Sequence, residues 1–192
     1  MRSHPAPKRT PLSPSLAIEA RTMVKELLAA TESSAEGLTR QWGPAALLFL
    51  PSWELVDRAL LSMSARATVS APGHQLIERA LTLLRAFPNM QARFLPSAPT
   101  GQLVIGRAPG AAVMLSDASL SRSHAVIRWA RGQYWLRDAG SLNGTYINAE
   151  AFTKERHLQD GDTIALGDAQ LIFVTSATLH LQLQSLRSVS RG

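Results

Sequence analysis

From about residue 90 onward the chain breaks into short strand-like runs separated by turn clusters, and this rhythm restricts its fold more than any other feature. The runs are Gln91–Leu95, Leu103–Gly106, His124–Trp129, Tyr134–Arg137, Thr145–Asn148, Thr163–Leu166 and Gln170–Thr175. Between them lie Pro99–Gly101, Pro109–Gly110, Arg131–Gly132, Ala139–Gly144 and Gln159–Asp162. Gly, Pro, Asn and Asp supply the backbone angles and local hydrogen bonds that turns need. Many short strands with regularly placed turns predict an all-β sandwich or barrel. Thr178–Gln184 also alternates, with Leu179, Leu181 and Leu183 set against polar neighbours, and is expected as one more strand or a tail.

Upstream the texture differs. Residues 1–15 hold four prolines among Ser, Arg and Lys and predict a disordered basic arm. Leu16, Ala20, Met23, Val24, Leu27 and Leu28 recur at helical spacing. Trp53, Val56, Leu60 and Met63 share a face after a Ser52 cap, and Leu76, Ile77, Ala80, Leu81, Leu84 and Phe87 share another between Pro72 and Pro88. Residues 16–88 are therefore expected as a small all-α region of three or four helices, with Trp42 and Trp53 in its core. The expected division is 1–15, 16–88, 90–177 and 178–192.

Composition removes several chemistries. The chain has 192 residues, 45% of them apolar, enough to bury a core, and no cysteine. Disulfides, cysteine-held zinc, iron–sulfur clusters and thiol catalysis are thereby excluded. The longest apolar run, Pro44–Pro51, is far shorter than the roughly 20 residues that span a bilayer, so a soluble cytoplasmic protein is expected, with no membrane partner. The formal +6 divides as +3 in residues 1–15, 0 in 16–89, +1 in 90–177 and +2 in 178–192. A nucleic-acid grip would place its charge on a folded face, so the tails read as solubilising and nucleic acid is not the expected partner. No phosphate loop ending in Gly-Lys-Ser/Thr, no His-Glu-x-x-His and no Gly-x-Ser-x-Gly occurs, and the five histidines are scattered. No enzyme, cofactor or metal site is expected; Asp160-Gly161-Asp162 is expected as a hairpin turn.

Three inter-strand loops carry the remaining chemistry. Gly106-Arg107 ends one strand, Ser121-Arg122-Ser123-His124 leads into the next, and Asn143-Gly144-Thr145 closes a turn begun at Asp138. Loops of a sandwich cluster at its two ends. Guanidinium forks, a hydroxyl and a carboxamide converging there suit holding an anion rather than cleaving a bond.

These residues resemble the forkhead-associated (FHA) family. The resemblance runs in order through Gly106-Arg107, Leu120-Ser121-Arg122-Ser123-His124, Tyr134-Trp135-Leu136-Arg137-Asp138, Gly140-Ser141-Leu142-Asn143-Gly144-Thr145-Tyr146, Asp160-Gly161-Asp162-Thr163-Ile164 and Leu166-Gly167. It covers about residues 90–177 and implies an eleven-stranded sandwich that binds phosphothreonine peptides with its apical loops. Carried over by position, Arg107 and Ser121 would contact the phosphate, with Arg122 as a further contact. Asn143 would bind the peptide backbone, and His124 would brace the Ser121 loop from inside. Gly106, Gly144 and Thr145 would shape the loops. Two departures stand out: Leu142 replaces the hydroxyl residue common before the Asn, and Ser119 replaces a charged residue that can read a neighbouring peptide side chain.

The implied function is a phosphothreonine-dependent adaptor whose partner is a Ser/Thr kinase or a substrate of one. Three alternatives remain open. Thr10, phosphorylated, could occupy the chain's own site; the basic tails could bind nucleic acid; residues 16–88 could form a homodimer.

Overall fold

The structure, a computed structural model, describes residues 21–23, 27, 34–50, 83, 86–87, 90–96 and 102–189. Among them are β1 (Arg21–Met23), α1 (Ala35–Trp42), β2 (Ala45–Phe49), β3 (Gln91–Leu95), β4 (Gln102–Gly106), β5 (Val113–Met114) and β6 (Ala125–Ala130). There follow β7 (Gln133–Asp138), β8 (Thr145–Ile147), β9 (Glu150–Ala151), β10 (Arg156–His157), β11 (Thr163–Leu166), β12 (Ala169–Thr175) and α2 (Ser176–Val189). The strands form a β-sandwich of two sheets. One sheet has the order β1-β3-β2-β12-β11-β8-β9 and the other β10-β7-β6-β4-β5. Every pair is antiparallel except β4 with β5.

The seven runs expected downstream of residue 90 all form strands, with boundaries shifted by a residue or so. The reason is visible in β7. Tyr134 and Leu136 are buried in the sandwich, while Trp135 lies under the Arg128 guanidinium on the outer face, 5.6 Å from the ring centre. Trp129 packs against the sandwich core and meets Tyr134 edge-on at 4.5 Å. Asp160-Gly161-Asp162 is a turn; its carboxylates accept from Thr175, Gln159 and Asn148.

Three expectations upstream and downstream are corrected. Ala45–Phe49, assigned to the helical region, is a strand at the middle of the larger sheet, between β3 and β12. Its alternate side chains feed two different cores. Ala45 and Leu47 join Ile105, Ile127, Leu136 and Ile164 between the sheets, whereas Ala46 and Leu48 join Leu38, Leu179 and Leu183 beneath the helices. A strand covered on both faces reads as an unbroken apolar run and shows no period-2 signature. The division at residues 88–90 is thus no boundary between layers. Second, Arg21–Met23 is extended rather than helical and pairs with β3, filling the hydrogen bonds of an otherwise bare sheet edge. Third, Thr178–Gln184 is helix: Leu179, Leu183 and Leu186 are buried while Leu181 is exposed, which is 3.6-residue geometry.

The helices cover the back of the larger sheet. Ser34 caps α1 by accepting the Gly37 N–H at 3.2 Å, and Trp42 at its end packs on Phe94. Leu27 and Leu83 are buried in the same core. Asp160 holds the start of α2 by accepting the Thr175 N–H and the Thr178 hydroxyl. Residues 1–15, Trp53 and the expected second helix lie outside the described residues, as does most of the third. Among the described residues no helix is long and apolar enough to cross a membrane.

Candidate functional site

The ends of β4 and β7 and the starts of β6 and β8 meet at one end of the sandwich, and their loops are tied to one another through the backbone. The Ser121 carbonyl accepts the Arg107 N–H at 3.1 Å, and the Arg122 carbonyl accepts the Ala108 N–H at 3.2 Å. Gly106 permits this approach. A Cβ there would stand 2.3 Å from the Arg122 oxygen, well inside contact, so only glycine lets the two segments close.

His124 fixes the second tie. It is fully buried; its Nδ1 accepts the Ser121 N–H at 3.1 Å, and its Nε2 lies 2.9 Å from the Gly144 oxygen. A backbone N–H facing Nδ1 requires a lone pair there, so the proton sits on Nε2 and is donated to Gly144. One ring therefore spans the Ser121 loop and the Asn143-Gly144 turn. Neither nitrogen faces the Ser121 hydroxyl, so this pair lacks the geometry of a nucleophile and its base.

The turn from 138 to 145 is built on Asp138, the residue that begins it. Its Oδ2 accepts the N–H groups of Gly140 and Ser141 at 2.8 and 2.9 Å; its Oδ1 accepts the hydroxyls of Ser141 and Thr145, each at 2.6 Å. Partial burial on its own would raise the carboxyl's pKa, but these donors outweigh it and hold the group below the usual carboxylate range. Thr145 is buried. Gly144 sits at φ +76°, a left-handed turn position.

Asp117 and Ser119 form a second support; Asp117 was missed, and Ser119, noted only as a departure from the family pattern, braces the loops. Asp117 accepts both the N–H and the hydroxyl of Ser119, at 2.8 and 2.7 Å. Ser119 in turn accepts the Asp168 N–H through Oγ and the Asn143 Nδ2–H through its carbonyl, each at 2.8 Å. The Asp-x-Ser spacing was a readable signal of such a turn.

The remaining groups face outward. Ser121 Oγ accepts the Leu142 N–H at 3.0 Å, which leaves its own proton to donate. Asn143 uses one N–H on Ser119 and keeps the other together with its carbonyl. Arg107 and Arg122 are exposed, and among the described residues neither forms an ion pair. Residues Arg107, Ser121, Arg122 and Asn143 thus stand on loops that interlock at one end of the sandwich. Also among the described residues, no three His, Asp or Glu side chains gather as metal ligands. The rim offers hydrogen-bond donors and positive charge.

Comparison with known proteins follows the same region. The FHA domain model matches residues 103–167. The chain is 41% identical over 95 residues to an oxoglutarate dehydrogenase inhibitor of Corynebacterium efficiens, covering 50% of this chain and 65% of that protein. It is 38% identical over 96 residues to the glycogen accumulation regulator GarA of Mycolicibacterium smegmatis, covering 50% of this chain and 59% of that one. The matches thus span less than two thirds of these relatives' lengths. A solved FHA domain, studied for phosphothreonine-dependent interactions, is 36% identical with a TM-score of 0.40, covering 43% of this chain and 82% of that one.

Proposed function

We propose, from the match of residues 103–167 to the FHA domain model, that the protein is a phosphothreonine-dependent binding module that regulates a partner protein. The carrying observation is the outward donor set: the Arg107 guanidinium, the Ser121 proton left over after Leu142 is bound, and the Asn143 amide. A phosphothreonine carries about −1.5 to −2 charges and three strong acceptors at neutral pH. Each charge-assisted hydrogen bond to it contributes on the order of 1.5–3 kcal/mol. Two or three such bonds exceed what an unmodified threonine hydroxyl can form, so occupancy switches with phosphorylation. Ser121 and Arg107 hold the phosphate, Arg122 adds charge at the rim, and Asn143 orients the peptide backbone. His124, Gly106, Gly144 and Thr145 keep the loops in place.

The partner on this reading is a protein phosphorylated by a Ser/Thr kinase, or the kinase itself, which implies a cytoplasmic setting. The names of the bacterial relatives, an enzyme inhibitor and an accumulation regulator, support control by binding rather than catalysis. The test is titration calorimetry with a phosphothreonine peptide library and the unphosphorylated twins. Binding is expected only for phosphorylated members, and Arg107→Ala is expected to weaken it at least tenfold. Equal binding of both forms would refute the reading.

A further inference from the structure

Taking Asn143 as a contact of the bound phosphothreonine peptide, as proposed above, we infer that Asn143 is a site of spontaneous deamidation and that its change from carboxamide to carboxylate shuts the site as the protein ages. Asparagine is among the thermally labile side chains. It is followed by glycine at Asn143-Gly144 and nowhere else in the chain; Asn89 precedes Met90 and Asn148 precedes Ala149. Glycine has no Cβ to hinder its own nitrogen from reaching the preceding side chain. The dipeptide alone decides nothing, because a folded loop can hold the reacting groups apart.

This fold leaves them open. Asn143 is exposed, on a loop at the end of the sandwich. Among the described residues the Gly144 N–H meets no hydrogen-bond acceptor, while its carbonyl is held by His124 and Gly167. The Asn143 carboxamide is held at one end only, through Nδ2 on the Ser119 carbonyl. Asn148 is the contrast. Its Nδ2 donates to Asp162 at 2.8 Å, and its Oδ1 accepts the N–H and the hydroxyl of Thr163, each at 2.9 Å. Both ends of that carboxamide are clamped.

The reaction needs only water. The Gly144 nitrogen attacks Asn143 Cγ. An N–Cγ bond forms, the Cγ–Nδ2 bond breaks, and Nδ2 departs as ammonia with the proton of the Gly144 amide. Water then opens the cyclic imide. Opening at Cγ gives aspartate; opening at the main-chain carbonyl gives isoaspartate and adds a methylene to the backbone. Nothing is oxidised or reduced. Either product sets a carboxylate beside the place of a phosphate dianion, and like charges repel. In the aspartate form the oxygen facing the Ser119 carbonyl has no proton to offer, so the 2.8 Å tie between the loops is lost. The new charge also joins Asp117 and Asp168, both hydrogen-bonded to Ser119, and turns that flank of the rim negative.

The test ages the full chain in mildly alkaline buffer at physiological temperature, beside a synthetic peptide of residues 138–149. Asn143 and Asn148 share one tryptic peptide, residues 138–154, so fragment masses assign the site. Conversion at Asn143 is expected to run about tenfold or more faster than at Asn148. Ion exchange then separates the acidic form, and calorimetry compares it with fresh protein on a phosphothreonine peptide. The acidic form, and Asn143→Asp, are expected to bind about tenfold or more weakly. Asn143 left intact when the synthetic peptide has converted overturns the inference, as does an acidic form that binds as tightly as fresh protein. Fresh protein that binds phosphorylated and unphosphorylated peptides alike overturns instead the phosphothreonine reading on which the shut-off rests, while the masses still decide the chemistry at Asn143.

Discussion

Replacing His124 by alanine tests how the two loops of the site are joined. The ring is fully buried and makes two hydrogen bonds, one from the Ser121 N–H and one to the Gly144 carbonyl. Truncation leaves both backbone groups without a partner, at about 1–3 kcal/mol for each that water does not reach. It also opens a ring-sized cavity, and truncating buried aromatic side chains costs about 3–5 kcal/mol. The two costs overlap because water entering the cavity can satisfy a backbone group. We expect a loss of about 3–5 kcal/mol, a large share of the roughly 5–15 kcal/mol that holds such a domain together. His124→Phe separates the terms: it fills most of the space but supplies no polar atom, so about 2–3 kcal/mol should still be lost. Urea unfolding of wild type and both variants measures stability, and calorimetry with the tightest phosphothreonine peptide measures affinity. Affinity is expected to fall about tenfold in both variants, because Ser121 and Asn143 no longer share a brace. A stability loss below about 1 kcal/mol in His124→Ala, with affinity intact, would show that the ring does not hold these loops.

Two further perturbations follow from the turns. Asp138 has its folded-state pKa lowered, so its contribution to stability is complete above the unfolded carboxylate value of about 4 and is lost as the pH falls through the folded value. Asp138→Asn should therefore cost about 1–2 kcal/mol at neutral pH and make the loss of stability below about pH 4 less steep than in wild type, as read by thermal melts at successively lower pH. In the β8–β9 turn, Asn148 and Ala149 both take positive φ, 53° and 65°, where alanine is strained. Asn148 is anchored to Asp162 and Thr163, whereas Ala149 gains nothing from its methyl group. Ala149→Gly should stabilise the protein by about 0.5–1 kcal/mol, visible as a higher urea midpoint.

The sequence carries the sandwich wherever one face of a strand is buried and the other is wet. β7 alternates, β6 begins with the apolar run Ala125-Val126-Ile127, and turn residues mark the ends of both, so both were legible. β2 was not, because Ala45, Leu47, Ala46 and Leu48 are buried on opposite faces and the run has no alternation. The length of Pro44–Pro51 and its flanking prolines and glycine were the available signal; its partners, β12 and β3, are distant in the chain. α2 misled for the opposite reason. Leu179, Leu181 and Leu183 imitate period 2, and only the exposure of Leu181 and the burial of Leu186 reveal the helix. The two-residue strands β5, β9 and β10 are too short to leave a pattern. At the site, the outward residues Arg107, Ser121, Arg122 and Asn143 were readable from motif order. The supporting roles of Asp138, Asp117 and Ser119 were not legible, since each is a set of short hydrogen bonds that only the fold assembles.

The most direct test of the central claim is a nuclear magnetic resonance titration of the full chain with a phosphothreonine peptide. The account expects the largest shifts at the Arg107 side-chain Nε–H, the Asn143 side-chain amide and the backbone amides of Ser121 and Leu142. Little should change at the Arg131-Gly132 turn on the opposite end. Shifts concentrated at that opposite end, or equal shifts with the unphosphorylated peptide, would contradict it.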